Sequence, residues 1–194
     1  MAKPQMPITQ TAVARTLRAR WTTESQVVAY YDQMRHNVIA VVEALGAPHP
    51  LLATYSTSSL HAFPNVMDGR DIRVELLVVG NRSDTALANV VATSAFCVMK
   101  DHWLAAPGVV FPNAVLEYFP FATTKHVVWV EPFDYDDLSS IVVPGIDYQV
   151  HVLQGLPITD AEYGLLRDQG FDALERALSE AHVEHFDLVR KSAV

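Results

Sequence analysis

The residues able to do chemistry are few and scattered. Ser56, Thr57, Ser58 and Ser59, with His61 close behind, set hydroxyls near an imidazole. Such a pairing suits nucleophilic hydrolysis, in which a base takes the hydroxyl proton. Adjacent strand residues point to opposite faces, and nothing in the chain places a third member. The run therefore reads as a strand passing into a turn. His182 and His185 stand three apart beside Glu184, with Asp187 following. Two ligands on one helical face would hold zinc if a third arrived from elsewhere; the bland reading is a solvated helix end. Asp134, Asp136 and Asp137 resemble the start of a calcium loop. The glycine and distal glutamate of such a loop are missing at the required offsets, which leaves an acidic, solvated turn. Cys97 lies between Phe96 and Val98, with Lys100 nearby. A reactive thiolate needs a cation and exposure, and the apolar neighbours suit a packed core thiol better.

The familiar phosphate and nucleophile motifs are absent. None of the eight glycines lies two residues from another, and no lysine follows a glycine. This removes the dinucleotide fingerprint and the phosphate loop. There is no Gly-x-Ser-x-Gly elbow either. No cofactor is expected. A hydrolase or metal enzyme built on His61, His126, His151 or the His182/His185 pair stays open as a second reading. Aromatic residues crowd the middle of the chain, among them Trp103, Phe111, Trp129, Phe133 and Tyr135. Phe133 and Tyr135, flanked by aspartates, have the character of contacts at the mouth of a groove.

Half of the 194 residues are hydrophobic and 19% are charged, enough apolar surface for one well-buried domain. Acids outnumber bases, 22 to 14, and none precedes Glu24, whereas Lys3, Arg15, Arg18 and Arg20 all do. Beyond those four the remaining 10 bases face 22 acids, a net charge of −12. Such a body repels nucleic acid and anionic membranes and would steer basic proteins toward itself, although on composition alone the plainer reading is that the charge serves solubility. A single cysteine permits no internal disulfide, no apolar run reaches the length of a membrane span, and the N-terminus has no signal-type stretch. A cytoplasmic protein is expected.

Residues 1–20, with Pro4 and Pro7, read as a flexible tail, and 21–194 as one domain. From Thr23 the residues Val27, Tyr31, Met34, Val38, Val41 and Leu45 recur at spacings of three and four. That stripe predicts a helix, capped by Thr22 or Thr23 and stopped by Gly46 and Pro48. Strands are predicted at 51–60 and 72–79, then a long buried helix from Ser83 or Asp84 to Trp103. Shorter strands follow at 109–111, 115–119, 127–130 and 148–156. Thr159-Asp160-Ala161-Glu162 is a capping box, with Ile158 and Tyr163 at its staple positions. Gly170 closes that helix, and Asp172-Ala173-Leu174-Glu175 repeats the box for a last one. The order implies an α+β fold, an α/β sandwich with a mixed, mainly antiparallel sheet flanked by helices.

From about Thr54 onward the chain resembles the suppressor-of-fused family. Thr54-Tyr55-Ser56-Thr57-Ser58-Ser59-Leu60 is similar to its strand and Gly-Leu-Ser-Asp-Leu turn, with Ser56 and Thr57 in place of Gly and Leu. Val74-Glu75-Leu76 resembles its glutamate-leucine strand, and Pro107-Gly108-Val109-Val110 the turn after its long helix. His126-Val127-Val128-Trp129-Val130-Glu131-Pro132 is similar to a strand ending in acidic-Pro. The stretch from Val150 through Pro157-Ile158-Thr159-Asp160-Ala161-Glu162 resembles the bacterial pattern most fully, and Arg190 falls where bacterial members place a basic residue. The resemblance implies a non-enzymatic protein-binding domain. Animal members clamp a peptide between two lobes; the resemblance here covers the first lobe, and Val109 replaces the acid of the animal turn. Bacterial members of this type imply an immunity role, with another protein as partner, such as a basic toxin domain. The contact face is expected at Glu131, Phe133, Asp134, Tyr135, Asp136 and Asp137. Monomer and homodimer both remain open, and self-association through the first apolar stripe is a third reading.

Overall fold

The computed structural model describes residues 8–21 and 23–194. In chain order the elements are α1 (Ile8–Arg18), β1 (Ser25–Tyr31), β2 (Val38–Leu45), β3 (Leu52–Thr57), β4 (Val66–Met67), β5 (Arg70–Asp71) and β6 (Val74–Asn81). Then come α2 (Leu87–Asp101), β7 (Val110–Phe111), β8 (His126–Val130), β9 (Ser140–Ile141), β10 (Val150–Ile158), α3 (Asp160–Gln169) and α4 (Phe171–Glu180). The main sheet runs β1-β2-β3-β6-β10-β8-β7, with β9 also on β10. Among the described residues only β6 and β10 pair in parallel; the remaining pairs are antiparallel. The expected mixed, mainly antiparallel sheet is therefore present. None of the described helices is long and apolar enough to cross a membrane.

The first predicted helix is a hairpin. Ser25 to Tyr31 pair with Ala44 to Val38 in unbroken antiparallel register. A spacing of four fits the period of a strand as well as that of a helix, and the stripe omitted Val28, Ile39 and Val42. Those β-branched residues favour a strand, and β2 is buried on both faces. The reversal is built by Asp32, whose carboxylate accepts the N–H groups of His36 (2.8 Å) and Asn37 (3.2 Å) and the Asn37 amide (2.8 Å). Arg35 takes a left-handed conformation there, with φ 56°.

The N-terminal expectation also changes. Residues 1–7, including Pro4 and Pro7, lie outside the described residues, as does Thr22. From Ile8, however, the chain is helical, and Val13, Leu17 and Trp21 are buried against Val42, Ala44, Leu77 and Val79. Their fourfold spacing makes an apolar stripe, masked in the sequence by the arginines between them. Two smaller expectations differ as well. Residues 115–119 form a turn rather than a strand, with the N–H groups of Val115 and Leu116 both given to the Lys125 carbonyl. The second capping box is not formed, because Gly170 alone links α3 to α4 at φ 85° and Asp172 already lies inside α4.

Both faces of the sheet are covered. On one, α2 packs over Val41, Tyr55, Leu76, Val78 and Trp129. On the other, α1 and segment 138–150 cover one end, and α3 and α4 cover Val128, Val130, Leu156 and Ile158.

The predicted box at Thr159 is the start of a larger device. Glu162 accepts the Thr159 N–H (2.8 Å) and Thr159 Oγ1 accepts the Glu162 N–H (3.3 Å). The same carboxylate, fully buried, is gripped by both terminal nitrogens of Arg190, at 2.5 and 2.8 Å. It also accepts the Ala193 N–H at 2.9 Å. Arg190 adds a bond to the Pro157 carbonyl (3.1 Å). Burial alone would raise the Glu162 pKa, but the guanidinium and the two N–H donors outweigh it and hold the carboxyl below its ordinary range.

Removing one partner of such a buried pair strands the other charge. Arg190→Ala is expected to cost about 3–5 kcal/mol in urea denaturation. Because the folded-state pKa of Glu162 is depressed, its contribution is complete above the ordinary glutamate value of about 4.3 and fades as pH falls through the lower folded-state value. The stability gap between the natural chain and Glu162→Gln should therefore narrow as pH is lowered through the carboxylate range. A constant gap would contradict the ion pair.

Candidate partner-binding face

The acidic loop 131–137 leaves the end of β8 and crosses β10. One residue of β10 shapes it. Gln154 is a fully buried amide within the otherwise apolar stretch 152–158 of that strand. Its Oε1 accepts the N–H groups of Phe133 (3.2 Å) and Asp134 (3.3 Å), and its Nε2 donates to Asp134 Oδ2 (2.5 Å). His185 Nε2 meets the same oxygen at 3.0 Å, and the rings of Phe133 and His185 stand edge to face with centroids 4.9 Å apart. Tyr135 turns inward. Its hydroxyl bonds Thr54 Oγ1 at 2.6 Å, its ring lies beside Trp21, and burial pushes its pKa up to about 12. At the far end Arg20 Nη1 donates to the Asp137 carbonyl (3.1 Å).

The six expected contact residues thus divide. Asp134 and Tyr135 anchor the loop. Glu131, Phe133, Asp136 and Asp137 are exposed, with Phe133 47% accessible. Beside Phe133 runs an open groove of about 620 Å³, floored by Val130, Leu156, Phe171 and Leu178 and edged by Glu131 and Glu175. The face therefore combines an aromatic ring, an apolar hollow and carboxylates on a braced backbone. Gln154, His185 and the α4 residues escaped the sequence reading. The lone amide inside a run of apolar strand residues was the available signal for Gln154.

Most of the other candidates bond within the fold. Thr57 Oγ1 accepts the Leu76 N–H (2.8 Å) and Ser59 Oγ accepts the Ala40 N–H (2.9 Å), so these hydroxyls stitch β3 and its turn to β6 and β2. His61 Nδ1 lies 2.7 Å from Glu75 Oε1, both residues fully buried. His126 Nδ1 accepts the Asn113 N–H (3.0 Å), which puts the ring proton on Nε2, facing Asp160 Oδ1 at 2.8 Å. His151 is exposed on β10. His182 sits in a left-handed turn at φ 50°, while His185 is taken by Asp134, so the pair does not converge. Among the described residues no group of three or more His, Cys, Asp or Glu could share a metal ion. Cys97 is partly buried, and burial together with Asp101 and Glu117 pushes its thiol pKa up.

Comparison with known proteins agrees with this architecture. The family model for Suppressor of fused protein matches residues 32–191. Immunity protein YqcF of Bacillus subtilis (strain 168) is 27% identical over 184 residues, spanning 94% of this chain and 95% of that one. A suppressor of fused homolog from Neisseria gonorrhoeae superposes with a TM-score of 0.77 at 17% identity, over 96% of this chain and 97% of the other. The Sufu–Fu complex aligns at 0.68 and 12% identity, over 97% of this chain and 93% of that chain. Drosophila Suppressor of Fused aligns at 0.53 and 12% identity over 87% of this chain, which spans 42% of the fly protein. At these identities the structures speak for the fold.

Gln154→Leu keeps the side-chain bulk and leaves the N–H groups of Phe133 and Asp134 without their acceptor. Each unmet buried donor costs about 1–3 kcal/mol. The expected result is faster amide exchange across 131–137 with β8 and β10 still protected. Unchanged exchange in the loop would show that Gln154 does not brace it.

Proposed function

The chain belongs to the suppressor of fused family, and from that premise we propose that it is a non-enzymatic protein-binding domain that neutralises a basic toxin domain in the cytoplasm. The observation that carries this reading is the end-to-end match to a bacterial immunity protein. The geometry supports it. Glu131 presents its carboxylate at the groove that the half-exposed ring of Phe133 lines, Asp136 and Asp137 are exposed farther along the loop, and the groove between that loop and α4 offers apolar surface. An aromatic anchor with a polar rim is the anatomy of an interface centre. The fixed backbone lowers the ordering cost of association.

In this reading the charges act mainly on capture. A body of net charge −12 beyond residue 23 draws a basic partner in by long-range attraction, and Phe133 and the groove then hold it. The partner is recognised by its basic surface and by an apolar side chain able to enter the hollow.

Affinity capture of the tagged chain from its native cell, with bound species identified by mass spectrometry, tests the role. One basic protein at near-equal stoichiometry is expected, and none under any growth condition would contradict it. Reversing Glu131, Asp136 and Asp137 to lysine should slow association with that partner by about tenfold or more at low salt. The difference should shrink as salt is added. An unchanged on-rate would move the contact away from this loop.

A further inference from the structure

The sheet has two ends, and they are built differently. At one end β7 is only two residues long. At the other, β1 presents seven residues in unbroken register with β2. Long edges invite pairing with another chain, and proteins usually blunt them with charges, proline, bulges or a covering element. The sequence of β1, Ser-Gln-Val-Val-Ala-Tyr-Tyr, has no charge and no proline, and its pairing shows no bulge.

The register shows which backbone groups point outward. The Asp32 N–H donates to the Asn37 carbonyl, and this pair continues the β1–β2 register. Antiparallel pairs alternate between bonded and non-bonded. Tyr30, Val28 and Gln26 therefore bond to β2, while Tyr31, Ala29, Val27 and Ser25 direct their N–H and C=O groups away from it. One of these is already occupied, because Arg18 donates to the Ser25 carbonyl (2.8 Å) and to its hydroxyl (2.9 Å). Among the described residues none bonds the outward groups of Val27, Ala29 and Tyr31.

We propose that a second copy of this chain pairs antiparallel with β1 across a two-fold axis at Ala29, joining two sheets into one. In that register Ala29 faces its own equivalent, and Val27 and Tyr31 each face the other's equivalent. All three pairs are of the bonded kind, so the outward groups are satisfied by an identical strand. The arrangement closes on itself, as an isologous interface must. Arg18 sets its limit by holding Ser25 out of the ladder. The small side chain of Ala29, itself exposed, lets the strands approach at the axis. The groove beside Glu131 and Phe133 lies with β8 and β10, away from β1, and stays open in such a dimer.

Sedimentation equilibrium of the full chain at micromolar concentration tests the pairing. Twice the chain mass is expected, and a single-chain mass throughout would overturn it. Ala29→Pro removes only an outward N–H, a position where an edge strand tolerates proline. It should yield the single-chain mass with the thermal midpoint of the fold kept. Ala29→Lys places two ammonium groups against each other at the axis and should do the same, which keeps the test valid should the proline variant fail to fold. Either folded variant remaining a dimer would overturn the proposed register.

Discussion

The pairing of Glu162 with Arg190 is the constraint on which the rest of this structure leans. Beyond α4 the chain has little regular structure of its own, yet it returns across the sheet and is firmly held. A buried carboxylate and a buried guanidinium each carry a desolvation cost that only a fully bonded partner offsets. Here Glu162 meets Arg190, Thr159 and Ala193 together. The threonines at 123 and 124 add bonds to the Leu188 and Arg190 carbonyls. The returning segment thereby carries His185 to Asp134. The cap of a helix and the shape of the acidic loop are thus parts of one connected system.

That system explains how the protein uses its polar residues. The serines and threonine after β3, His61 with Glu75, and His126 with Asp160 all look catalytic by residue type. In the fold each is bonded to backbone or to a fixed partner. Their polarity secures turns and strand ends that an apolar side chain could not hold, because buried N–H and C=O groups must be paired. The carboxylates at 131, 136 and 137, by contrast, stay exposed.

Much of the fold was legible before any coordinates. The strands β6, β8 and β10 and the helix α2 were marked by dense apolar runs between clear stops, and the cap of α3 by Thr159 and Glu162. The β1–β2 hairpin was misread because Val27 and Tyr31, like Val41 and Leu45, are spaced by four, which satisfies both periodicities. Its true signal was the β-branched density and the Asp32–Asn37 turn. Helix α1 was hidden because three apolar residues spaced by four lie among arginines. At the candidate face, residue types gave the loop but not its orientation. That Asp134 and Tyr135 turn inward depends on Gln154, Thr54 and His185, which stand 20, 81 and 51 residues away in the chain. Spacing along a sequence does not reveal such meetings.

The central claim is that a basic protein is received by a rigid face at 131–137. Hydrogen–deuterium exchange of the chain, free and saturated with its captured partner, addresses it most directly. The account expects the amides of 131–137 and of the α4 side of the groove to gain protection in the complex. Protection gained elsewhere, with that loop and groove unchanged, would contradict it.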